Sequence, residues 1–296
     1  MAGVGLSYLR YYKIFVPLAT LLVLIYVTCV RLPEVHLSAC TENGRPCNEM
    51  WSKKERDPEE GKDKEMMTAK VVALVQNVEY TRQCEGMEFQ ITRVLAAFRS
   101  CISEDGQILL KEYLSGWKEF IKFMDSLGMV FGFISQETTT KINIMNVYLA
   151  GSSGAEYHTL QSMIKHELDH GLVNFKELPR DQVPSGCRTL LRLHRALKWL
   201  EMFLYKLSIS TSQDNTGKLC ALAYEETLAH HHSWFVRQAA ALAFLAMPPR
   251  RELLQILCVH KEEEAQFVLS TTAKSIIRVY DLTQRVYEAH GMLELP

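Results

Sequence analysis

Helical periodicity dominates this chain from about residue 86 to residue 296. Apolar side chains recur every three or four positions, the spacing that buries one face of a helix. No alternation of apolar and polar residues is long enough to predict a sheet. The pattern predicts an all-α domain that can bury a substantial core. Its helices would be Phe89–Ser103, Ile108–Asp125, Leu127–Tyr148, Tyr157–Val173, Gly186–Ser208, Lys218–His231, Trp234–Ala246, Arg251–Val259 and Glu262–His290.

The first 35 residues form a separate segment. Arg10 and Lys13 precede an uncharged run of 17 residues, Ile14–Val30, and Arg31 follows it. The run is slightly long for the apolar part of a signal peptide and slightly short for a helix across a hydrocarbon core of about 30 Å. For residues 1–35 we favour an uncleaved signal anchor over a cleaved signal peptide. Positive charges on both flanks leave the orientation open.

Composition predicts a charged linker at residues 36–85. Within it, residues 52–65 (SKKERDPEEGKDKE) are nearly all charged or turn-forming, which favours a solvated segment. The whole chain has a net charge of −1 and is 48% hydrophobic. We therefore expect neither a disordered protein nor one that coats nucleic acid.

The eight cysteines do not fix the compartment. Cys40 and Cys47 lie close together ahead of the helical domain, and a small disulfide loop there would fit a lumenal location. No CxxC pair occurs, so we do not predict a cysteine zinc site. Buried free thiols are expected at four positions within helical patterns: Cys101, Cys187, Cys220 and Cys258.

The sequence HELDH at residues 166–170 fits the HExxH pattern of zinc peptidases. Helical spacing puts His166 and His170 opposite the stripe that would be buried, whereas a zinc site needs a shielded cleft. Lys176 stands where the extended pattern has its third histidine. We interpret HELDH as a chance match, with a zinc site completed by a residue such as Glu201 as the alternative. The buried stripe would consist of Leu160, Ile164, Leu168 and Leu172.

Three arginines share one face of the helix predicted at Gly186–Ser208. Arg188, Arg192 and Arg195 are spaced i, i+4 and i+7, which puts them in one stripe beside a broad apolar face. Like charges at this spacing repel each other. The stripe therefore needs acidic partners from other helices, or an anionic ligand held by bidentate guanidinium contacts. Taken alone, the segment favours a solvated or salt-bridged stripe.

The segment Phe120–Met145 is strongly apolar and carries Glu137 and Lys141 one turn apart. A helical ion pair is the simplest interpretation. The functional alternative is a carboxylate that accepts from a ligand amide or hydroxyl, beside an ammonium for a phosphate. Ordinary core packing is the usual role of such apolar residues, and a space for acyl chains is the alternative for Phe120, Phe123, Met124, Met129, Val130, Phe131 and Phe133.

Four stretches together resemble the glycolipid transfer protein superfamily, and most closely its ceramide-1-phosphate branch. They are LSGWKEFIKFMDSLGMVFGFIS, SGCRTLLRLHRALKWLEMFL, HSWFVRQA and IRVYDLTQRVYEAHGMLELP. The resemblance covers residues 86–296 and implies a two-layer all-α sandwich, here preceded by the N-terminal hydrophobic helix. It implies no chemical step, and so no enzyme. One sphingolipid would be carried with its chains in an apolar pocket and its headgroup at the surface.

The resemblance also implies roles for individual residues. Lys141, Arg188 and Arg192 match the residues that hold the phosphate, and Arg195 matches a further basic residue nearby. Glycolipid-binding members have a tryptophan at the position of Arg192, so an arginine there indicates a phosphate. In the run of three histidines at 230–232, His232 matches the residue that meets the ceramide amide carbonyl.

Two residues leave alternatives open. Glu137 stands where the family has an aspartate that grips the ceramide amide and hydroxyl, so its carboxylate is one methylene further out. Either the ligand is shifted, or binding is weakened or tuned toward another lipid. Trp234 suits the membrane interface near a pocket mouth, and a buried core tryptophan is the alternative.

We therefore predict non-vesicular transfer of ceramide 1-phosphate, or a related phosphosphingolipid, between membranes. A membrane-tethered sphingolipid sensor or scaffold without efficient transfer is the competing prediction. The apolar pocket would lie among the helices of Phe120–Met145, Tyr157–Val173 and Gly186–Ser208. We expect a monomer that contacts bilayers and binds no cofactor, metal or nucleic acid. A single N-terminal pass would hold it at a membrane; the resemblance implies a cytosolic domain, with a lumenal or secreted location left open.

Overall fold

Nine α-helices form the part of the chain that the computed structural model describes, residues 84–176, 182–259 and 261–296. The described residues contain no β-strand, and two isolated bridges join Ile102 to Ile108 and Leu109 to Thr159. The all-α prediction is confirmed. The helices are α1 (Ile91–Arg99), α2 (Leu110–Ser126), α3 (Gly132–Ala150), α4 (Leu160–Asp169), α5 (Gly186–Ile209), α6 (Thr216–Thr227), α7 (Trp234–Leu245), α8 (Arg250–Ile256) and α9 (Glu262–Ala289).

Several predictions for the N-terminal part fall outside the described residues: the hydrophobic helix in 1–35, nearly all of the linker and the Cys40–Cys47 loop. The described residues belong to the second of the two compact units into which the chain divides. In that part of the chain, no helix is both long and apolar enough to span a bilayer.

The two longest helices, α5 and α9, pack along each other at the centre of this unit. Helix α5 also contacts α3, α4 and α6, while α1 packs against α2 and α9. The apolar face of α5 is buried as its periodicity predicts, and so is the corresponding face of α9. Core residues on these two helices include Leu190, Leu193, Leu197, Leu204, Val268, Ile276 and Val279.

Helices α1 and α2 approach closely at Gly116. A Cβ atom at this position would lie 2.6 Å from the ring of Phe98, closer than packed atoms tolerate. Tyr113 meets the same ring edge-on, with 6.1 Å between ring centroids. The absence of a side chain at residue 116 therefore lets α1 cover α2.

Several helix boundaries differ from the predicted ones, and local backbone conformation explains them. Gly128 has φ of 94°, so a 3-10 turn, Met129–Phe131, separates α2 from α3. Thr159 starts α4 with a capping box, and Gly171, with φ of 65°, ends that segment before Leu172. In place of one helix from Lys218 to His231, α6 ends at Thr227 and a 3-10 turn follows.

The prediction that Cys258 is a free thiol is wrong. Cys258 lies beyond the end of α8, with φ of 56°, and forms a disulfide with Cys84 across 174 residues of sequence. Helical periodicity could not show this, because Cys84 lies in the predicted linker. The other three predictions are confirmed, since Cys101, Cys187 and Cys220 are buried free thiols.

Candidate functional site

The arginine-bearing helix α5 is fixed at its N-terminus by a buried carboxylate. Glu167 is 0% exposed and accepts hydrogen bonds from the backbone N–H groups of Gly186, at 2.6 Å, and Cys187, at 2.9 Å. The hydroxyl of Tyr157 donates to it at 3.0 Å. A carboxylate at this end of a helix satisfies free N–H groups and opposes the helix dipole. The start of α5 is thereby held in place.

Glu167 is the glutamate of HELDH, and its position contradicts a peptidase role. A general base must reach a metal-bound water, whereas this carboxylate is enclosed by a helix terminus and a phenol. Among the described residues, no group of three His, Cys, Asp or Glu side chains could hold a metal. The buried apolar stripe predicted for the helix of HELDH is half correct. Leu160 and Ile164 are buried, but Leu168 and Leu172 are 39% and 49% exposed.

The three arginines of α5 donate to backbone carbonyls. Arg188 is 7% exposed and donates to the carbonyls of Pro296, Asn174 and Lys176. Arg192 donates to Leu295 at 3.1 Å and Arg195 to Leu293 at 2.5 Å. The C-terminal segment 293–296 thus lies along the arginine stripe and accepts from each of its three guanidinium groups.

The carbonyls of Leu293 and Leu295 carry no charge, so they hold Arg195 and Arg192 without neutralising them. Burial lowers the pKa of all three guanidinium groups, and for Arg192 the charges of Arg195 and Arg188 lower it further. Within the described residues, the salt bridges formed involve none of the three, although Glu294 acts on Arg195 at longer range. Arginine stays charged at neutral pH, so the stripe keeps a positive field. The sequence predicted either acidic partners or an anionic ligand for the three arginines, and it did not predict that backbone carbonyls would hold them.

A cleft of about 490 Å³ opens beside the stripe. Lys141 and Glu137 lie on its α3 side and form an ion pair. The side chain of Lys141 is 20% exposed and that of Glu137 is 71% exposed, so water screens the pair and it contributes little to stability. The residues around the cleft are Glu137, Thr140, Lys141, Ile144, Pro184, Arg188, Thr189, Arg192 and Pro296.

His232 is held by a residue that sequence reasoning missed. The hydroxyl of Tyr224 lies 2.7 Å from Nδ1 of His232. Burial raises the pKa of Tyr224 to about 12; burial, then the charge of Lys141, lowers the pKa of His232. Both groups are therefore neutral at pH 7, and in the tautomer in which the phenol donates to Nδ1, Nε2–H is left as a donor. His230 and His231, in contrast, are exposed.

The apolar interior beside this region is nearly closed. A void of about 10 Å³ lies where α2, α5 and α6 meet. No residue of Tyr157–Val173 borders this void, and the segment Phe120–Met145 contributes four of its lining residues. The void is lined by Phe123, Met124, Leu127, Phe131, Trp199, Leu200, Phe203, Cys220 and Met247.

One face of the described fold exposes large apolar side chains. Trp234 and Phe235 begin α7, 50% and 76% exposed, so Trp234 is not a core residue. Met129, in the turn before α3, is 97% exposed. Phe131 of that turn packs in one cluster with Ala243 of α7, which brings the turn and the helix together. We call this the apolar face: Met129, Val130, Phe133, Trp234, Phe235, Val236 and Leu245.

Most of the predicted ligand residues therefore lie near one another. Glu137, Lys141, Arg188 and Arg192 line one cleft, and Lys141 is close enough to lower the pKa of His232. Sequence reasoning missed Tyr224, Glu167 and the segment 293–296. No spacing in the sequence marks them, because each acts through a partner on another element.

Comparison with known proteins gives concordant results. A sequence profile described as Glycolipid transfer protein (GLTP) matches residues 108–259. The chain is 44% identical over 210 residues to the ceramide-1-phosphate transfer protein of Xenopus tropicalis, covering 71% of this chain and 97% of that protein.

Solved structures agree. The mouse ceramide-1-phosphate transfer protein in its apo form is 41% identical, with a TM-score of 0.67, over 70% of this chain and all of that one. The human protein in complex with 12:0 ceramide-1-phosphate is 39% identical, with a TM-score of 0.67 and coverage of 70% and 100%.

Proposed function

The chain belongs to the glycolipid transfer protein family, and on that premise we propose that it carries ceramide 1-phosphate, or a related phosphosphingolipid, between membranes. One observation carries the proposal. Lys141, Arg188 and Arg192 face a cleft of about 490 Å³ in which Glu137 is the only acidic residue among the described lining. A site with this excess of positive charge selects an anionic headgroup over a neutral sugar.

Each of the three cations would have a different role in binding a phosphate. Both Nη atoms of Arg188 already donate to carbonyls, so this residue mainly fixes the geometry. Arg192 gives one Nη atom to Leu295 and, with five donors in a planar fork, keeps the larger capacity to bind phosphate oxygens in pairs. Lys141 would add a point charge from the opposite wall of the cleft.

The ceramide amide would be recognised by His232 and Glu137. The Nε2–H donor that Tyr224 preserves can meet the amide carbonyl. Phosphate binding draws the ammonium of Lys141 away from Glu137, whose carboxylate is then free to accept from the amide N–H or a hydroxyl. In this account the Glu137–Lys141 pair occupies the site until the lipid arrives.

Lipid chains require more space than the apolar void beside the cleft provides. The void of about 10 Å³ between α2, α5 and α6 is far smaller than a ligand site, for which several hundred Å³ is typical. The helices must therefore separate when the chains enter. Such gating is common where a ligand has to be shielded from water.

We infer that the apolar face contacts the bilayer during uptake and release. An indole and a phenyl ring on the first turn of α7 suit the interfacial region, and a monomer would leave them free. An N-terminal membrane segment could keep the domain near its donor membrane, since a flexible linker of about 50 residues reaches several nanometres.

A tethered sensor is the second candidate. The closed apolar interior and the occupied Glu137–Lys141 pair favour it, because both resist extraction of a lipid. The two candidates differ in one property: a transfer protein removes the lipid from its bilayer, and a sensor leaves it there.

Binding and extraction can be measured separately with a protein that begins at Cys84. Vesicles holding radiolabelled ceramide 1-phosphate are mixed with excess protein and then removed by centrifugation. Transfer predicts labelled lipid in the supernatant, at a level at least tenfold higher for the unaltered protein than for Arg192→Ala. Label that stays with the vesicles while protein co-sediments would identify a sensor. Arg251→Ala, on α8, is the matched control.

A further inference from the structure

The described part of the chain contains one covalent link between distant segments. Cys84 and Cys258 are 1% and 0% exposed, with their Cα atoms 5.9 Å apart, in the usual range for a disulfide. Met87 packs against the pair. The disulfide joins the segment before α1 to the turn between α8 and α9.

Hydrogen bonds that do not involve sulfur fix the backbone next to both cysteines. The amide of Gln90 donates to the Cys84 carbonyl at 2.8 Å, and the N–H of Ile91 donates to the Leu257 carbonyl at 3.2 Å. The N–H of Cys258 donates to Gln255 at 2.9 Å. Both backbones are thus fixed on either side of the bridge, so the pairing is built into the fold.

The other described cysteines behave differently. Cys101, Cys187 and Cys220 are buried free thiols, and burial raises the pKa of each. Because the thiolate is the reactive form, these three residues resist oxidation while Cys84 and Cys258 are joined. The fold therefore pairs Cys84 with Cys258 as a disulfide and protects the other three thiols from oxidation.

We propose that this domain matures and works in an oxidising compartment, the lumen of the secretory pathway or the space beyond it, with the Cys84–Cys258 disulfide formed. Each thiol loses one proton and one electron, and both electrons pass to the disulfide of a thiol oxidoreductase, which becomes a dithiol. Disulfides persist in such compartments and are rare in the cytosol. The proposal does not depend on which lipid the domain carries.

One feature of the sequence agrees with this location. The uncharged run Ile14–Val30 would direct the chain into the secretory pathway both as a signal anchor and as a signal peptide. Because flanking charges leave the orientation of a signal anchor open, the disulfide is the observation that replaces the cytosolic location implied by the family resemblance with a lumenal or external one. The lipid would then be taken from the leaflet that faces away from the cytosol.

The first test uses the full chain in cultured eukaryotic cells. Cells are lysed in N-ethylmaleimide, and peptides are identified without reduction. We expect a Cys84–Cys258 linked peptide in most molecules and N-ethylmaleimide on Cys101, Cys187 and Cys220 after denaturation. Detection of Cys84 and Cys258 mainly as alkylated thiols would overturn the proposal.

Glycosylation tests the compartment independently. Glu79→Thr creates the acceptor Asn77-Val-Thr in the linker, which the natural sequence lacks. We expect a shift in mobility that is reversed by an endoglycosidase, and Glu79→Ala, which makes no acceptor, should show none. An unglycosylated Glu79→Thr protein would place the linker in the cytosol and contradict the proposal, even if the disulfide forms.

Stability provides a third readout on the purified protein. Cys84→Ser and Cys258→Ser should each lower Tm by about 5–15 °C, as loss of a native disulfide does in a domain of this size. Reductant should lower the Tm of the unaltered protein equally and leave both variants unchanged. Cys220→Ser, which keeps the bridge, should remain sensitive to reductant. A reductant-insensitive Tm in the unaltered protein would overturn the proposal.

Discussion

The hydroxyl of Tyr224 lies 2.7 Å from Nδ1 of His232. This contact joins the end of α6 to His232, two residues before α7, and in the tautomer in which the phenol donates to Nδ1 it leaves Nε2–H to face a ligand. A histidine that must donate to a carbonyl needs its other nitrogen to accept, and a neutral phenol supplies that proton. We therefore expect Tyr224 to act on a bound lipid through His232.

Tyr224→Phe should weaken binding of ceramide 1-phosphate about three- to tenfold, since one positioning hydrogen bond contributes about 1 kcal/mol. Nitrogen NMR of labelled histidine should show His232 changing from the Nε2–H form to a mixture of tautomers. The double variant Tyr224→Phe/His232→Ala should bind no worse than His232→Ala alone. Additive losses would show that Tyr224 acts on the ligand independently.

Arg192→Trp should reduce the preference for a phosphate headgroup over a sugar headgroup at least tenfold, because it removes paired charge-assisted hydrogen bonds. Competition between ceramide 1-phosphate and glucosylceramide for the purified protein measures this preference. Arg251→Trp, on α8, controls for the added aromatic surface. An unchanged preference in Arg192→Trp would show that the stripe does not select the headgroup.

Glu137→Asp should raise the rate of transfer. The shorter side chain withdraws the carboxylate from the ammonium of Lys141 and, by the role proposed for residue 137, leaves it free to accept from the ceramide amide. Glu137→Gln, which also breaks the ion pair but cannot act as a charged acceptor, should lower the rate. Equal rates for the unaltered protein and Glu137→Asp, measured with the same vesicles, would show that the cleft has adapted to the longer residue.

Glu167→Gln should destabilise the domain by about 1–3 kcal/mol. The amide keeps one acceptor oxygen but removes the charge that three donors surround at the start of α5. Denaturant unfolding gives this difference directly. Asp169 is exposed and lies on α4, the helix that carries Glu167. Asp169→Asn should change stability by less than about 0.5 kcal/mol. Equal stability of Glu167→Gln and the unaltered protein would contradict the capping role.

His194 should make the domain less stable in acid. Its ring is 1% exposed, stacks on Tyr280 with centroids 4.1 Å apart, and burial lowers its pKa to about 4. The unfolded chain binds this proton near pH 6.5, so the stabilisation is complete above that pH and is lost as pH falls toward 4. The loss is about 3 kcal/mol.

Denaturant unfolding between pH 7 and pH 4.5 measures this dependence. His194→Phe should reduce the dependence of the unfolding free energy on pH. A smaller dependence should remain, because the pKa values of His231 and His232 are also lowered. A slope unaffected by the substitution would show that His194 does not control the acid response.

Periodicity predicted the helices and the arginine stripe, because both depend on residues close in sequence. It could not predict what the arginines bind. The acceptors on Leu293, Leu295 and Pro296 are backbone carbonyls from about a hundred positions away, and every residue type has one. In HELDH, the short α4 ends at Asp169, so Leu172 lies beyond the helix and outside the core, while Leu168 within α4 is exposed and Glu167 is buried.

The most direct test of the account is vesicle-to-vesicle transfer by the protein that begins at Cys84, offered ceramide 1-phosphate, glucosylceramide and phosphatidic acid in parallel. The account predicts rapid transfer of ceramide 1-phosphate, at least tenfold slower transfer of phosphatidic acid, which lacks the sphingoid amide, and little transfer of glucosylceramide. Glucosylceramide transferred as fast as ceramide 1-phosphate would contradict the central claim that the arginine stripe selects a phosphosphingolipid.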